Sequence, residues 1–172
     1  MAGPKKIRVG FIGSGGIAQG KHVPGHLSVP NVEIVACCDI AEERAKVFAE
    51  RNGVDHVFTD HNKMLEMDEI DAVSVCTPNA FHADPTIAAL KAGKHVICEK
   101  PLAGNAKDGA RMVKAAEETG LVLQIGLQLK AAGVEPLLDA EAIGARLYTG
   151  PLYIKYCAVL KGLASGLISR RQ

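Results

Sequence analysis

The sequence IRVGFIGSGGIA, from Ile7 to Ala18, decides the fold. An apolar run leads into Gly13-Ser14-Gly15-Gly16-Ile17-Ala18, which fits the G-x-G-x-x-[GA] pattern of a strand, a tight turn and a helix that bind a dinucleotide. Gly13 permits the turn, Gly15 leaves room for a pyrophosphate, and Ala18 allows helix and strand to pack closely. The same pattern is compatible with an ordinary glycine-rich turn, so the rest of the chain must decide between the two.

The composition restricts the protein class. The 172 residues are 48% hydrophobic, which is enough for one domain with a buried core. The 20 basic and 19 acidic residues give a net charge of +1, which argues against a nucleic-acid partner and against an anionic membrane. We expect no signal peptide and no membrane span. The five cysteines lack C-x-x-C spacing, which predicts buried thiols in a cytoplasmic protein.

Strand-like and helix-like segments alternate from residue 7 to residue 125, which predicts an α/β fold. The connections are short, so we expect a doubly wound parallel (Rossmann) sheet in three αβα layers with strand order 3-2-1-4-5-6. The predicted strands cover residues 7–12, 32–38, 54–58, 71–76, 95–98 and 121–125, and the clearest helices cover 41–51 and 61–67, with two more that begin at Asp84 and Asn105 and end at Gly93 and Gly120.

The first helix is expected to be short because Pro24 and Gly25 interrupt it. His22 and His26 lie four residues apart on either side of this break. That spacing suits a metal ion only on an unbroken helix, so we expect no metal site.

Polar residues follow four of the predicted strands, where a doubly wound sheet binds its ligand. Asp39 ends the second strand, and its carboxylate can accept hydrogen bonds from the adenosine ribose and repel a 2′-phosphate. Ile40 follows where an NADP enzyme more often carries a cation, which favours NAD over NADP, although Arg44 leaves the choice open. The alternative is that Asp39 is only the N-cap of the next helix.

Lys100 is the residue with the clearest chemical potential. It follows the fifth strand and precedes Pro101, which restricts its backbone. Next to a nicotinamide, its ammonium could bind a substrate hydroxyl and ease its deprotonation as hydride leaves. The alternative is a surface lysine paired with Glu99.

The glycine loop, Asp39, CTPNAFH (Cys76 to His82) and CEKPLAGN (Cys98 to Asn105) together resemble the Gfo/Idh/MocA oxidoreductases, from Ile7 to about Gln128. This resemblance implies hydride transfer between NAD or NADP and a carbinol of a sugar or cyclitol. It implies that Asn79 and His82 line the nicotinamide half of the cleft, that Glu99 contacts the nicotinamide ribose, that Lys100 is catalytic, and that the Lys100-Pro101 bond is cis. His82 could equally be a packed loop histidine. The predicted cofactor-binding residues are Gly13, Ser14, Gly15, Gly16, Ile17, Asp39, Thr77, Pro78, Asn79, His82, Glu99, Lys100 and Gln128.

The sequence departs from the family pattern after Gln128. Leu129-Lys130-Ala131 stands where an Arg-rich turn is usual, and the Asp and His motif of the family's substrate domain does not appear before Gln172. We therefore expect a dinucleotide-binding domain at 1–128, an extra helix (134–147) and strand (152–159) within 129–160, a tail at 161–172, and little or no turnover. The alternatives are an active dehydrogenase completed by a partner chain, or a self-assembling nucleotide-binding module that forms a homo-oligomer through Leu152 to Val159.

Overall fold

The computed structural model describes residues 6–126, which form a six-stranded parallel sheet. The strands lie in the order β3-β2-β1-β4-β5-β6, which confirms the predicted doubly wound order. Every residue of β4 and β5 is buried, as expected for central strands covered on both faces. The strands are β1 (Ile7–Ile12), β2 (Val32–Cys38), β3 (His56–Phe58), β4 (Ala72–Val75), β5 (His95–Glu99) and β6 (Leu123–Gly126).

The helices cover the two faces of this sheet in three layers. One core cluster contains Phe11 and Phe48, and the other contains Met64, Leu90 and Met112, all of them fully buried. A π-helical segment (Ala18–His22) leads into α1 (Val23–Leu27), followed by α2 (Glu42–Asn52), α3 (His61–Leu65), α4 (Ala83–Lys91) and α5 (Ala106–Thr119). No helix between residues 6 and 126 is long and apolar enough to cross a membrane.

The predicted break of the first helix is wrong. The π-helical segment continues directly into α1, and Pro24 lies in the first turn of α1. A proline is tolerated there because N–H groups in the first turn of a helix have no acceptor within the helix, so no hydrogen bond is lost. His22 and His26 therefore lie on continuous helical backbone, and the break expected between them does not occur.

The starts of the two last helices differ in how well the sequence indicated them. Asn105 is the N-cap of α5, as predicted, and its side chain accepts a hydrogen bond of 2.9 Å from the Asp108 amide. Asp84 is not the N-cap of α4. A 3₁₀ turn (Asn79–Phe81) leads straight into this helix, whose N-cap is His82, so Asp84 lies in the first turn.

Four of the predictions fall outside the described residues. They concern Gln128, the helix at 134–147, the strand from Leu152 to Val159, and the tail at 161–172.

Candidate functional site

A cavity of about 720 Å³ opens at the carboxyl ends of the strands. It lies between β1 and β4, where the strand order reverses. The connections that follow these two strands run to opposite sides of the sheet, which opens a crevice for a ligand. Its size is that of a ligand pocket. The residues that line it include Gly13, Gly15, Ile17, Asp39, Ile40, Arg44, Thr77, Pro78, Asn79, Phe81, Glu99 and Lys100.

The glycine loop forms the part of the cavity next to β1. Gly13 has φ of +91°, and a Cβ there would lie 2.7 Å from the Cys76 carbonyl carbon and oxygen. Gly13 therefore serves the fold, because only a glycine fits between β1 and the end of β4. A Cβ on Gly15 would meet no protein atom within 4 Å, so the space beside Gly15 is open to a ligand.

The helix that follows the loop begins beside this open space. The Gln19 amide donates to the Gly15 carbonyl over 3.1 Å, which is the first helical hydrogen bond after the loop. The amides of Gly16, Ile17 and Ala18 precede that bond and have no acceptor within the helix. Such amides bind phosphate groups well.

Asp39 is held beside the loop by backbone amides. Its Oδ2 accepts from the Ser14 amide and its Oδ1 from the Ala41 amide, each over 2.9 Å. The N-cap of α2 is Ala41, so Asp39 is not the helix cap that the sequence left open. The carboxylate is buried, yet it lines the cavity, and Arg44 Nη1 also donates to both of its oxygens, over 3.3 and 3.4 Å.

Arg44 lies next to Asp39 at this end of the cavity. Its Nη1 lies 3.3 Å from Oδ1 of Asp39. Ile40 is 93% exposed and offers an apolar surface to a base. This end of the cavity thus combines a carboxylate, which repels a phosphate group, with a guanidinium, which attracts one.

The segment after β4 forms the far wall. Thr77, Pro78 and Asn79 line the cavity, and the Thr77 hydroxyl donates 2.9 Å to the Phe81 carbonyl, which closes the turn. Phe81 is 65% exposed beside Asn79 and adds an apolar face.

His82 lies behind this wall rather than in it. It is fully buried, does not line the cavity, and its Nδ1 and Nε2 lie 2.7 and 2.9 Å from the carbonyl oxygens of Pro101 and Thr77. This geometry matches the packed loop histidine of the two interpretations. His82 connects the segment after β4 to the segment after β5.

Glu99 and Lys100 come from the end of β5 and line the same cavity. The Lys100 amide donates 3.1 Å to Oε2 of Glu99, whereas the Lys100 ammonium forms no salt bridge within residues 6–126. The alternative of a Glu99–Lys100 surface pair is therefore not what the structure has. The Lys100-Pro101 bond is cis, as the resemblance implied.

No sequence pattern indicates how Glu99 is held. The Nε2–H of His22 donates 2.8 Å to Oε1 of Glu99, and His22 Nδ1 lies 2.8 Å from the Ser74 hydroxyl. Burial by itself raises the pKa of the Glu99 carboxyl, but the bond and charge of His22, together with Lys100, bring it below its usual value. Glu99 is thus a buried carboxylate at the cavity wall.

The cysteines near the cavity are poor nucleophiles. Burial raises the pKa of Cys38 to about 12 and that of Cys76 further, with neighbouring acidic groups adding to the effect. Among residues 6–126, no group of three His, Cys, Asp or Glu side chains is arranged to hold a metal ion. The first-helix histidines have other partners, since His26 donates to the His22 carbonyl over 2.6 Å.

Residues 7–127 match a family model, GFO_IDH_MocA, described as an oxidoreductase family with an NAD-binding Rossmann fold. The chain is 38% identical over 138 residues to 1,5-anhydro-D-fructose reductase of Ensifer adhaerens, which covers 80% of this chain and 41% of the relative. It is 34% identical over 157 residues to D-glucoside 3-dehydrogenase of Escherichia coli, which covers 91% of this chain and 43% of the relative. The chain thus spans about two fifths of the length of the relatives it matches.

Solved structures with this fold include KijD10, a 3-ketoreductase from Actinomadura kijaniata, in complex with NADP and TDP-benzene. It is 38% identical with a TM-score of 0.66, over 70% of this chain and 37% of that protein. The WlbA dehydrogenase from Bordetella pertussis, in complex with NADH and UDP-GlcNAcA, is 32% identical with a TM-score of 0.67, over 75% of this chain and 42% of that protein.

Proposed function

This chain belongs to the Gfo/Idh/MocA family of oxidoreductases, and we propose that its dinucleotide-binding domain binds NAD(H) along the strand ends and presents the nicotinamide to Lys100. The observation that carries this proposal is the open space beside Gly15, flanked by unpaired helix amides, in one cavity with Asp39, Glu99 and Lys100. A pyrophosphate on those amides leaves the adenosine towards Asp39 and the nicotinamide ribose towards Glu99.

The preference for NAD over NADP rests on Asp39. Its carboxylate is fixed by two backbone amides and cannot swing away from a 2′-phosphate without losing both bonds. Arg44 partly offsets this repulsion, because it is half-exposed and lies 3.3 Å from the same carboxylate. We therefore propose that both cofactors bind and that NADH binds more tightly.

Lys100 is the residue proposed to act on the substrate. The nicotinamide, when bound, accepts or donates the hydride. The Lys100 ammonium, free of a salt bridge with described residues, can donate a hydrogen bond to the reacting oxygen and favour its alkoxide character. General acid–base help of this kind contributes about 10² to 10⁴-fold to a rate.

The substrate proposed is the carbinol of a sugar or cyclitol, in keeping with relatives whose names include an anhydrofructose reductase, a glucoside dehydrogenase and an inositol dehydrogenase. The chain spans only part of the length of those relatives, and we propose that it contributes Lys100 to the substrate site. In the alternative proposal, a partner chain contributes further residues to the substrate site.

Calorimetric titration tests the cofactor proposal. NADH should bind saturably and more tightly than NADPH, and Lys91→Met, an exposed lysine at the end of α4, should bind as the wild type does. Absence of saturable binding of both nucleotides at millimolar concentration would contradict the proposal. A panel of sugars and cyclitols, followed by nicotinamide absorbance with Lys100→Ala as background, tests turnover.

Two proposals concern the state of the protein. We propose a reducing, cytoplasmic location, supported by the four buried, free cysteines of the described residues. We also propose self-association through Leu152 to Val159, which light scattering would contradict by giving a monomer mass.

A further inference from the structure

We propose that His22 positions Glu99 for the nicotinamide ribose and that Ser74 fixes the imidazole that does so. The inference rests on the proposed function, because it concerns the nicotinamide half of the NAD(H) site. Nothing in the G-x-G-x-x-[GA] pattern or in the strand-end residues requires a histidine at position 22.

The three side chains form a buried chain of hydrogen bonds across the sheet. Ser74 is on β4, His22 ends the π-helical segment, and Glu99 ends β5. Both links measure 2.8 Å, and all three residues are less than 5% exposed. A carboxylate oxygen can only accept, so His22 Nε2–H donates to Glu99, and Nδ1 pairs with the Ser74 hydroxyl, which can donate or accept.

Glu99 is thereby held at both carboxylate oxygens. His22 occupies one lone pair of Oε1, and the Lys100 amide occupies one lone pair of Oε2. Each oxygen keeps a further lone pair, and Glu99 lines the cavity. The carboxylate is therefore fixed in one orientation with acceptors available for the two hydroxyls of a ribose, so it need not be ordered when the ligand binds.

The location of His22 connects the two ends of the cofactor site. His22 is the last residue of the π-helical segment. The same helix begins at the glycine loop, where its first amides are available to the pyrophosphate. A π-helical turn inside a helix is uncommon and frequently occurs at functional sites. Loss of the His22 contact would leave Glu99 as a buried carboxylate with the Lys100 amide as its remaining hydrogen-bond donor, and the nearby Lys100 ammonium would become the competing partner.

Two nucleotide probes separate positioning from a purely structural role. ADP carries the adenosine and the pyrophosphate, whereas NADH adds the nicotinamide ribose that would meet Glu99. Both are titrated by calorimetry into the full chain and three variants. His22→Phe keeps a ring of similar size, His22→Gln keeps a side-chain N–H that can donate to Glu99, and Ser74→Ala frees the imidazole without removing it. Lys91→Met, at an exposed site at the end of α4, is the control.

We expect His22→Phe to weaken NADH about tenfold or more, the loss of one hydrogen bond to a charged group, and to leave ADP within about twofold. His22→Gln should restore most of the NADH affinity, and Ser74→Ala should weaken NADH binding as His22→Phe does. Lys91→Met should change the affinity for neither nucleotide. Equal weakening of ADP and NADH, or unchanged NADH affinity in His22→Phe, would overturn the assignment. If His22→Phe does not fold, Ser74→Ala and His22→Gln decide by the same comparison. Failure of the wild type to bind either nucleotide would overturn the proposed function as well, which distinguishes the two failures.

Discussion

Two alanine substitutions two residues apart should have opposite effects on stability and binding. Gly13→Ala places a Cβ 2.7 Å from the Cys76 carbonyl and 2.8 Å from the Thr77 amide nitrogen. Both neighbours are backbone at the end of β4, so they cannot move aside cheaply. Gly15→Ala places a Cβ where no protein atom lies within 4 Å. One glycine therefore serves the fold and the other serves the ligand.

The cost of Gly13→Ala has two parts. The φ of +91° costs a non-glycine residue about 1–2 kcal/mol, and the backbone overlap adds about 1–3 kcal/mol. The sum, about 3 kcal/mol, is a large part of a typical free energy of unfolding and corresponds to a fall in Tm of about 10 °C. Gly15→Ala should stay within about 0.5 kcal/mol of the wild type, since its Cβ faces open space.

Gly15→Ala should instead affect the binding of NADH. Gly15→Ala should lose NADH affinity by at least about tenfold, because its methyl group occupies the space left for the pyrophosphate. The assay is urea unfolding followed by circular dichroism, paired with calorimetric NADH titration on the same preparations. A Gly15→Ala variant that binds NADH as tightly as the wild type, or a Gly13→Ala variant of unchanged stability, would refute the separation of roles.

Four further substitutions test contacts in and around the site. Asp39→Asn should raise the ratio of NADPH affinity to NADH affinity by at least about tenfold, because it removes a negative charge facing the 2′-phosphate. Arg44→Ala should lower this ratio, because it removes the guanidinium next to Asp39. Calorimetry measures both affinities, and an unchanged ratio would contradict the account. Burial lowers the pKa of His26 to about 3, the His22 carbonyl and ring adding smaller opposed effects, so the unfolded chain takes up a proton that the folded chain does not between pH 6.5 and about 3. The free energy of unfolding should therefore fall by about 1.4 kcal/mol for each unit by which the pH is lowered across that window. His26→Gln should lose this pH dependence in urea unfolding. An equal slope in both proteins would argue against a buried neutral imidazole. His82→Leu removes the imidazole that lies within hydrogen-bond distance of the Thr77 and Pro101 carbonyls, and it should cost about 2 kcal/mol in the same assay. An unchanged unfolding midpoint would contradict this.

The sequence predicted the sheet well because its information is local. β1 and β2 have the predicted bounds, Ile7–Ile12 and Val32–Cys38, since each is an apolar run that ends in a polar or glycine residue. Asn105 and Gly120 limit α5 as expected, because capping depends on a few adjacent residues. The strand order follows from the alternation of strands and helices and from the handedness of their connections.

The misplaced boundaries have physical causes that neighbouring residues do not reveal. Pro24 looked like a helix breaker, yet the π-helical segment before it ends where α1 can begin with a proline in its first turn. Asp84 had the residue type of an N-cap, but the 3₁₀ turn from Asn79 had already set the helical direction. Both outcomes depend on backbone geometry set upstream.

The candidate site, too, was predictable from the sequence only in part. Strand ends predicted that the glycine loop, Asp39 and Lys100 meet at one edge, and all three line the cavity. The bonds of His22 to Ser74 and Glu99 join residues 52 and 77 positions apart, and no periodicity in the sequence indicates them. The position of His82 behind the wall likewise depends on Pro101, in another loop.

The central claim is that a dinucleotide lies along the carboxyl ends of these strands, and backbone amide NMR of the ¹⁵N-labelled chain during an NADH titration tests it most directly. The account predicts saturable shifts at Ser14 to Ile17, Asp39, Asn79 and Lys100, with Arg8 and Lys94 at the opposite edge unchanged. Saturable shifts confined to the opposite edge, or no shifts at millimolar NADH, would contradict it.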